Sequence, residues 1–323
     1  MTQWIRAAAA ASLLVLAPVG AAMAQAFPSK PLKVVVGFAP GGNLDVTARI
    51  LAEAMSKTLG QPIVVENRPG AGGVIGNDAV AKSPPDGYTL VATTTAVTIV
   101  SPLMVPTSPY TAANFSPVGV MQLTPLLVEV PVASPYADFK SYLAAVRAKP
   151  GTVSVAHSGN GTSNHVALLL IQDALKVKFN IVPYKGSGPA LIDTIGGQVD
   201  SIVDQLSSSL PQVKAGKLRP LAVGSRTRLA DLPNVPTLEE EGMKGFEAVT
   251  ASMLLAPAQT PPAVLKALNV ALNKALADPA VAKKLHDLGA VLRPTSVEEA
   301  ERFLKDEEAK LTALAKTGVL KSD

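Results

Sequence analysis

The chain has 323 residues, 48% of them hydrophobic and 17% charged, with a formal net charge of +4, three histidines and no cysteine. Its basic residues are interspersed with acids rather than gathered into a stripe, which excludes the phosphate-tracking surface of a nucleic-acid binder. The missing cysteines exclude disulfides, thiolate chemistry and lipid attachment at a mature N-terminal cysteine.

In chain order, Arg6, the largely apolar run from Ala7 to Val19 and the series Ala22-Met23-Ala24 read as a cleaved secretory signal over residues 1–24. A cut after Ala26 fits as well. A membrane anchor is the alternative, but the run is short for a span and lacks a basic stop-transfer flank. The sequence therefore predicts export to the periplasm. What remains, roughly 300 residues, suits about two domains, and no later apolar run is long enough to cross a bilayer.

Strand and helix signals then alternate. Lys33 to Phe38 reads as a strand ending at the turn Ala39-Pro40-Gly41-Gly42, and Ala48, Leu51, Met55 and Leu59 form one stripe of a helix that stops at Gly60. A strand at Ile63 to Val65, a glycine-rich turn from Asn67 to Gly73, a helix from Val74 to Ser83 and a strand from Tyr88 to Thr93 follow. Short apolar strands separated by helices predict parallel pairing with crossovers. The pattern loosens between Thr94 and Pro125. It restarts with a strand at Leu126 to Val130, a helix at Phe139 to Lys149, a strand at Val153 to Ala156 and a helix at Asn164 to Leu175. A strand at Phe179 to Val182, a helix opening at Pro189, and strands at Ile202-Val203 and Leu221 to Val223 complete this block. Thr237 with Glu240 predicts a capping box and a short helix. Ala248 to Ala256 reads as a long strand, followed by helices opened by Thr260-Pro261 and Asp278-Pro279 and by a capping box of Ser296 with Glu299. The strands near Leu126 and Met253 are the expected crossings between two lobes. Lobe 1 is then discontinuous, 27–125 plus 248–323, and lobe 2 is 126–247.

Four glycine-rich loops follow strand ends: Pro40-Gly41-Gly42, Pro69 to Gly73, Ser158-Gly159-Asn160-Gly161-Thr162-Ser163, and Lys185-Gly186-Ser187-Gly188. Ligands of open parallel sheets bind at such points, where glycine admits close approach and first-turn N–H groups attract anions. Each loop alone reads equally well as an ordinary turn; together they predict an anion-friendly cleft. Asp45 reads either as a helix-dipole acid or as a partner for a ligand donor, directly or through water. Asp204, at the end of a buried strand, leans towards a ligand role. Thr94, directly after the third strand, is a candidate ligand-binding residue, Tyr184 is expected in the pocket wall, and Phe38 sits at a strand end where core packing is the simpler role.

Nucleotide and enzyme signatures are absent. There is no G-x-x-x-x-G-K-[ST], and Gly70, Gly72 and Gly76 are spaced one residue too long for a dinucleotide fingerprint. His157, His165 and His286 have no acidic partner at metal-ligand spacing, so neither metal nor cofactor is expected. A hydrolase could pair His157 or His165 with Ser158 or Ser163 and use Asp204 as orienter. No G-x-S-x-G elbow supports it, and His165 reads more simply as a capping or wall residue.

The string Pro28 to Asp45, PSKPLKVVVGFAPGGNLD, resembles the opening of the Bug family, the substrate receptors of tripartite tricarboxylate transporters. The resemblance continues through Gly60 to Gly73, Pro85 to Leu90, Val182 to Gly186, Gly196 to Asp200 and Ala215 to Arg219. It implies an α/β fold of the type II periplasmic binding protein kind, with two doubly wound lobes and a ligand cleft between them. It also implies uptake of a small carboxylate: a di- or tricarboxylate, an acidic amino acid or an aromatic acid. The loop Pro40-Gly41-Gly42 with Asp45 then forms one jaw and works through bridging water. Ser158 to Thr162 and the loops near Tyr184 and Asp204 resemble the other. Membrane permease subunits are the implied partners, with a sensor kinase as the alternative, and the protein is expected to be a monomer. One departure stands out: where the family often carries an aromatic-aromatic-Gly element, this chain has Thr250-Ala251-Ser252-Met253-Leu254. A reshaped and wider pocket wall is the corresponding expectation.

Overall fold

The computed structural model describes residues 27–105 and 107–320, so the leader expected over residues 1–24 lies outside the described residues. The first block comprises β1 (Leu32–Val36), α1 (Asn43–Leu59), β2 (Ile63–Asn67), α2 (Val74–Ala81), β3 (Thr89–Thr94) and α3 (Thr95–Met104). A long strand, β4 (Phe115–Pro131), leads into α4 (Phe139–Ala148), β5 (Ser154–His157), α5 (Ser163–Leu175), β6 (Asn180–Pro183) and α6 (Ser187–Ile195). This second block closes with β7 (Ser201–Gln205), α7 (Leu206–Lys214) and β8 (Leu218–Val223). The chain returns through β9 (Val249–Pro257) to α8 (Pro262–Ala277), α9 (Pro279–His286), β10 (Val291–Leu292) and α10 (Val297–Lys316).

The sheet runs in the order β2-β1-β3-β9-β4-β7-β5-β6, with β8 and β10 also paired to β4. Each end of it is parallel, as strand–helix alternation predicts: β1 lies between β2 and β3, and β5 between β6 and β7. The centre is antiparallel, because β4 and β9 carry the chain out of one block and back again. They pair from Phe115 with Pro257 to Pro125 with Val249, with register shifts near Pro117–Gly119 and Val120–Gln122. Beyond that point β4 pairs instead with β7 and β8.

Separate cores back the two halves of β4. Val34, Leu51, Met55, Leu254 and Leu272 pack between β1, β9, α1 and α8. Leu126, Tyr142, Phe179 and Leu221 pack on β4, α4 and β8. A third cluster joins Ile99 and Val100 of α3, Met253 of β9 and Leu304 of α10 to Val166 and Leu169 of α5, so apolar contact also runs between the blocks. Each fully buried Leu or Phe contributes about 1.5–3 kcal/mol.

The structure corrects two readings. The segment from Thr94 to Pro125, which looks irregular in sequence, holds α3 and the first half of β4. At Thr237 the capping contacts form, with Glu240 N–H donating to Thr237 Oγ1 at 3.1 Å and Thr237 N–H to Glu240 Oε2 at 2.7 Å. No helix follows, because the chain turns at Gly242 and Gly245, both in left-handed conformations.

Candidate ligand cleft

The loop from β1 into α1 is built around Asp45. Gly41, at φ +87°, turns the chain, and its N–H donates to Asp45 Oδ2 at 3.0 Å. Asp45 Oδ1 accepts from Arg49 Nε at 3.0 Å, one helical turn on, and from Asn67 Nδ2 at 2.9 Å. The same Asn67 amide holds the Phe38 carbonyl at 2.9 Å. Burial alone would raise the Asp45 pKa, but Arg49, the Gly41 N–H and Asn67 together hold it below the usual carboxylate range. Asp45 is thus the organiser of its loop, with both oxygens engaged by protein.

Opposite lie the loops after β5 and β6. Thr162 caps α5, accepting from His165 N–H at 3.3 Å and donating to the Gly159 carbonyl at 2.6 Å. Gly186, at φ +131°, precedes α6 without a side-chain cap. The jaws meet backbone to backbone. Ala39 N–H donates to the Lys185 carbonyl at 2.9 Å. A Cβ on Gly72 would stand 2.0 Å from the Asn160 carbonyl oxygen, and one on Gly188 2.3 Å from that of Pro40. The glycines that sequence places near the ligand therefore also permit the jaws to close.

Between the jaws lies a small pocket lined by Phe38, Gly42, Asn43, Leu44, Asp45, Thr94, Ser158, Thr162, Ser163, Ser187 and Gln205. Among the described residues no lysine, arginine or histidine lines it. Positive potential comes from helix ends instead. Gly42 and Gly186 give α1 and α6 no side-chain caps. Among the described residues, the N–H groups of Asn43, Leu44 and Asp45, and those of Ser187 and Gly188, donate to no protein acceptor. The two helix starts face each other, a Cβ on Gly42 falling 3.4 Å from that of Ser187. Free first-turn donors on two helices are able to take an anion without a cationic side chain.

Of the residues expected in the site, Phe38, Gly42, Asp45, Thr94, Ser158 and Thr162 line this space. Pro40, Gly41, Gly159, Asn160, Gly161 and Gly186 build the loops and their closing contacts. Lys185 is exposed, its carbonyl alone crossing the gap. Tyr184 Oη donates to Asp193 at 2.8 Å; its partial burial and that carboxylate push its pKa up to about 12, and its ring packs beside α6 rather than on the cleft. His165 borders a different surface groove, beside Leu169 and Phe179. Asp204 lies behind the wall, fully buried. It accepts from Ser187 Oγ in a short contact, from Ser208 Oγ at 2.5 Å and from Asn164 Nδ2 at 3.1 Å. Burial raises its pKa to about 6 despite these donors.

Sequence reading missed Asn43, Leu44, Ser163, Ser187 and Gln205 as lining residues. Ser187 and Ser163 stand inside quoted loops, and Gln205 adjoins Asp204, so their signal was position beside a strand end. The departure at Thr250 to Leu254 lies behind the cleft. Ser252 Oγ accepts from Asn43 Nδ2 at 3.4 Å and Thr250 Oγ1 from Gln205 Nε2 at 3.4 Å. Small hydroxyls there continue a buried polar network that includes Gln122 Nε2 donating to Asn43 Oδ1 at 2.7 Å.

The serines and histidines form no nucleophilic pair. His157 and His165 stack at 4.7 Å, and burial lowers their pKa values to about 3 and about 4. Their Nδ1 atoms are engaged by Gly159 and Gly161 backbone, and Asp204 holds hydroxyls rather than an imidazole. Among the described residues no group of three or more His, Asp or Glu could hold a metal ion, and no helix is long and apolar enough to cross a membrane.

Comparison with known proteins agrees with this geometry. Residues 47–319 match the family model described as the tripartite tricarboxylate transporter family receptor. The UPF0065 protein in the tcbD-tcbE intergenic region of Pseudomonas sp. (strain P51) is 41% identical over 82% of this chain and 79% of its own length. Protein BugT of Bordetella pertussis is 36% identical over 91% and 90%. Among solved structures, periplasmic binding protein BugD superposes with a TM-score of 0.87 at 34% identity, covering 92% of this chain and 100% of that one. MatC from Rhodopseudomonas palustris with bound malate gives 0.85 at 33%, covering 91% and 100%, and an R. palustris protein with adipate gives 0.86 at 32%, covering 90% and 98%. The fold is that of the periplasmic binding proteins, and the chain belongs to the receptor family of the tripartite tricarboxylate transporters.

Proposed function

We propose that this protein captures a small carboxylate between two lobes in the periplasm and delivers it to membrane permease subunits. The lobes are residues 27–125 with 248–323, and residues 126–247, hinged where β4 and β9 cross. The observation that carries the reading is the pair of uncapped helix starts, α1 and α6, facing each other across a hydroxyl-lined cleft whose one carboxylate, Asp45, is already engaged by Gly41, Arg49 and Asn67. The malate and adipate held by two relatives are ligands of the same chemistry. Backbone N–H groups, hydroxyls and bridging water bind the anion, and closure of the jaws buries it and presents the surface that the permease recognises. No turnover is involved, and the mature monomer begins after Ala24 or Ala26.

Native mass spectrometry of gently purified protein tests the assignment by weighing both the mature chain and any retained ligand. A thermal-shift screen of acids then reports the ligand, since binding raises stability by RT ln(1 + [L]/Kd). Carboxylates are expected to raise the melting temperature; a rise with neutral sugars and none with any acid would refute the assignment.

A further inference from the structure

One hydroxyl in the cleft wall has its proton already spoken for. Ser187 Oγ has a single hydrogen and two acceptors behind it: Asp204 Oδ1 in a short contact, and Gln205 Oε1 at 3.2 Å. Neither can return a proton to it. Asp204 presents acceptors on both sides, Oδ1 taking the Asn164 amide and Oδ2 the Ser208 hydroxyl. Gln205 commits its amide hydrogens elsewhere, to Asn164 Oδ1 at 2.7 Å and Thr250 Oγ1 at 3.4 Å. Asp204 is itself fixed by Ser208 and Asn164, so the arrangement is rigid. Ser187 nevertheless lines the cleft. Where that oxygen meets a ligand it therefore offers lone pairs, not a proton.

Ser187 is also the first residue of α6, and its N–H and that of Gly188 have no protein acceptor. A donor for the carboxylate and an acceptor thus sit on the same residue. A ligand that satisfies both carries a hydrogen-bond donor on the carbon adjoining its carboxylate.

We infer that Ser187, positioned by Asp204, selects carboxylates bearing a 2-hydroxyl or 2-amino group over the same acids without it. This rests on the carboxylate reading of the cleft and names the subclass that the cleft accepts. An acid lacking the donor leaves the Ser187 oxygen desolvated and unpaired, and sites built around a ligand donor reject such analogues strongly.

Isothermal titration calorimetry at pH 7.5 on matched pairs tests it: malate and aspartate against succinate, and 2-hydroxyglutarate against glutarate. The donor-bearing acid of a pair is expected to bind about tenfold tighter or more. Malate and aspartate separate the hydroxyl from the ammonium. In S187A the ratio within a pair falls towards one. In D204A the Ser187 hydroxyl loses the carboxylate that holds its proton, can donate to the cleft, and the ratio within a pair falls likewise; Asp204 is a positioning residue, and S187A carries the test if D204A does not fold. Equal affinities within every pair in the native protein, or an undiminished ratio in S187A, would overturn the inference while leaving carboxylate binding intact. Failure of every acid to bind would remove the carboxylate reading and this inference with it.

Discussion

At the scale of single residues, closure depends on side chains that are missing. Gly188 has no unusual φ, so replacing it by alanine adds no backbone strain, yet its Cβ would meet the Pro40 carbonyl oxygen at 2.3 Å. We expect Gly188→Ala to weaken ligand binding about tenfold or more, by lowering the closed population, with little change in the melting temperature of the ligand-free protein. Unaltered affinity would show that the jaws need not approach as closely as they do here. Asp45 works through its neighbours: Asp45→Asn forfeits the charge-assisted bonds to Gly41 and Arg49. A several-fold loss of affinity measured by calorimetry is the expected outcome, and an equal loss in Arg49→Ala would locate the effect in the loop rather than at the ligand. The glycine loops were legible in sequence because φ-permissive residues mark strand ends. Which glycines face each other was not, since Gly72 meets Asn160 and Gly188 meets Pro40 only through tertiary closure. The proton commitment of Ser187 was likewise invisible, being set by Asp204 and Gln205 from another strand.

At the scale of elements, most of the βαβ succession was legible because amphipathic stripes and caps repeat, as at Leu51 and Met55 of α1 or Ser296 and Glu299 of α10. What escaped was α3, whose β-branched residues and Pro102 suit a helix poorly and whose first seven residues are all buried, so no polar face marks the period. The front of β4 escaped for a related reason: Pro117, Gly119 and Pro125 interrupt it, two of them at or beside register shifts. The capping box at Thr237 misled because a cap satisfies N–H groups locally and cannot supply the residues of a helix. Where α1 meets β4, Asn43 accepts from Gln122 and from Ser207 of α7, joining three elements beneath the cleft. Asn43→Ala strands those donors and is expected to cost about 1–3 kcal/mol in denaturant unfolding. A cost near zero would mean that water replaces the amide freely.

For the whole molecule, buried titratable groups set opposing slopes of stability against pH. His157 and His165 have pKa values lowered by burial to about 3 and about 4, so the folded protein keeps them neutral while the unfolded chain binds protons below about 6.5. Their contribution is present above pH 6.5 and is lost as pH falls through that window. Asp204, raised to about 6, and Glu129, raised well above the carboxylate range by burial and by Asp204, act the other way: they favour the fold at low pH and lose that contribution as pH rises. His165→Asn should therefore gain about 2 kcal/mol relative to the native protein between pH 7 and pH 5 in denaturant titrations. A difference independent of pH would mean that His165 is not held neutral in the fold.

Closure of two lobes on a carboxylate held by helix starts and hydroxyls can be followed by titrating the mature protein calorimetrically. Small carboxylates and a neutral hexose of similar size serve as the paired ligands. Saturable one-to-one binding of a carboxylate with a negative heat-capacity change is expected, with no binding of the hexose. Saturable binding of the hexose with none of any carboxylate would contradict it.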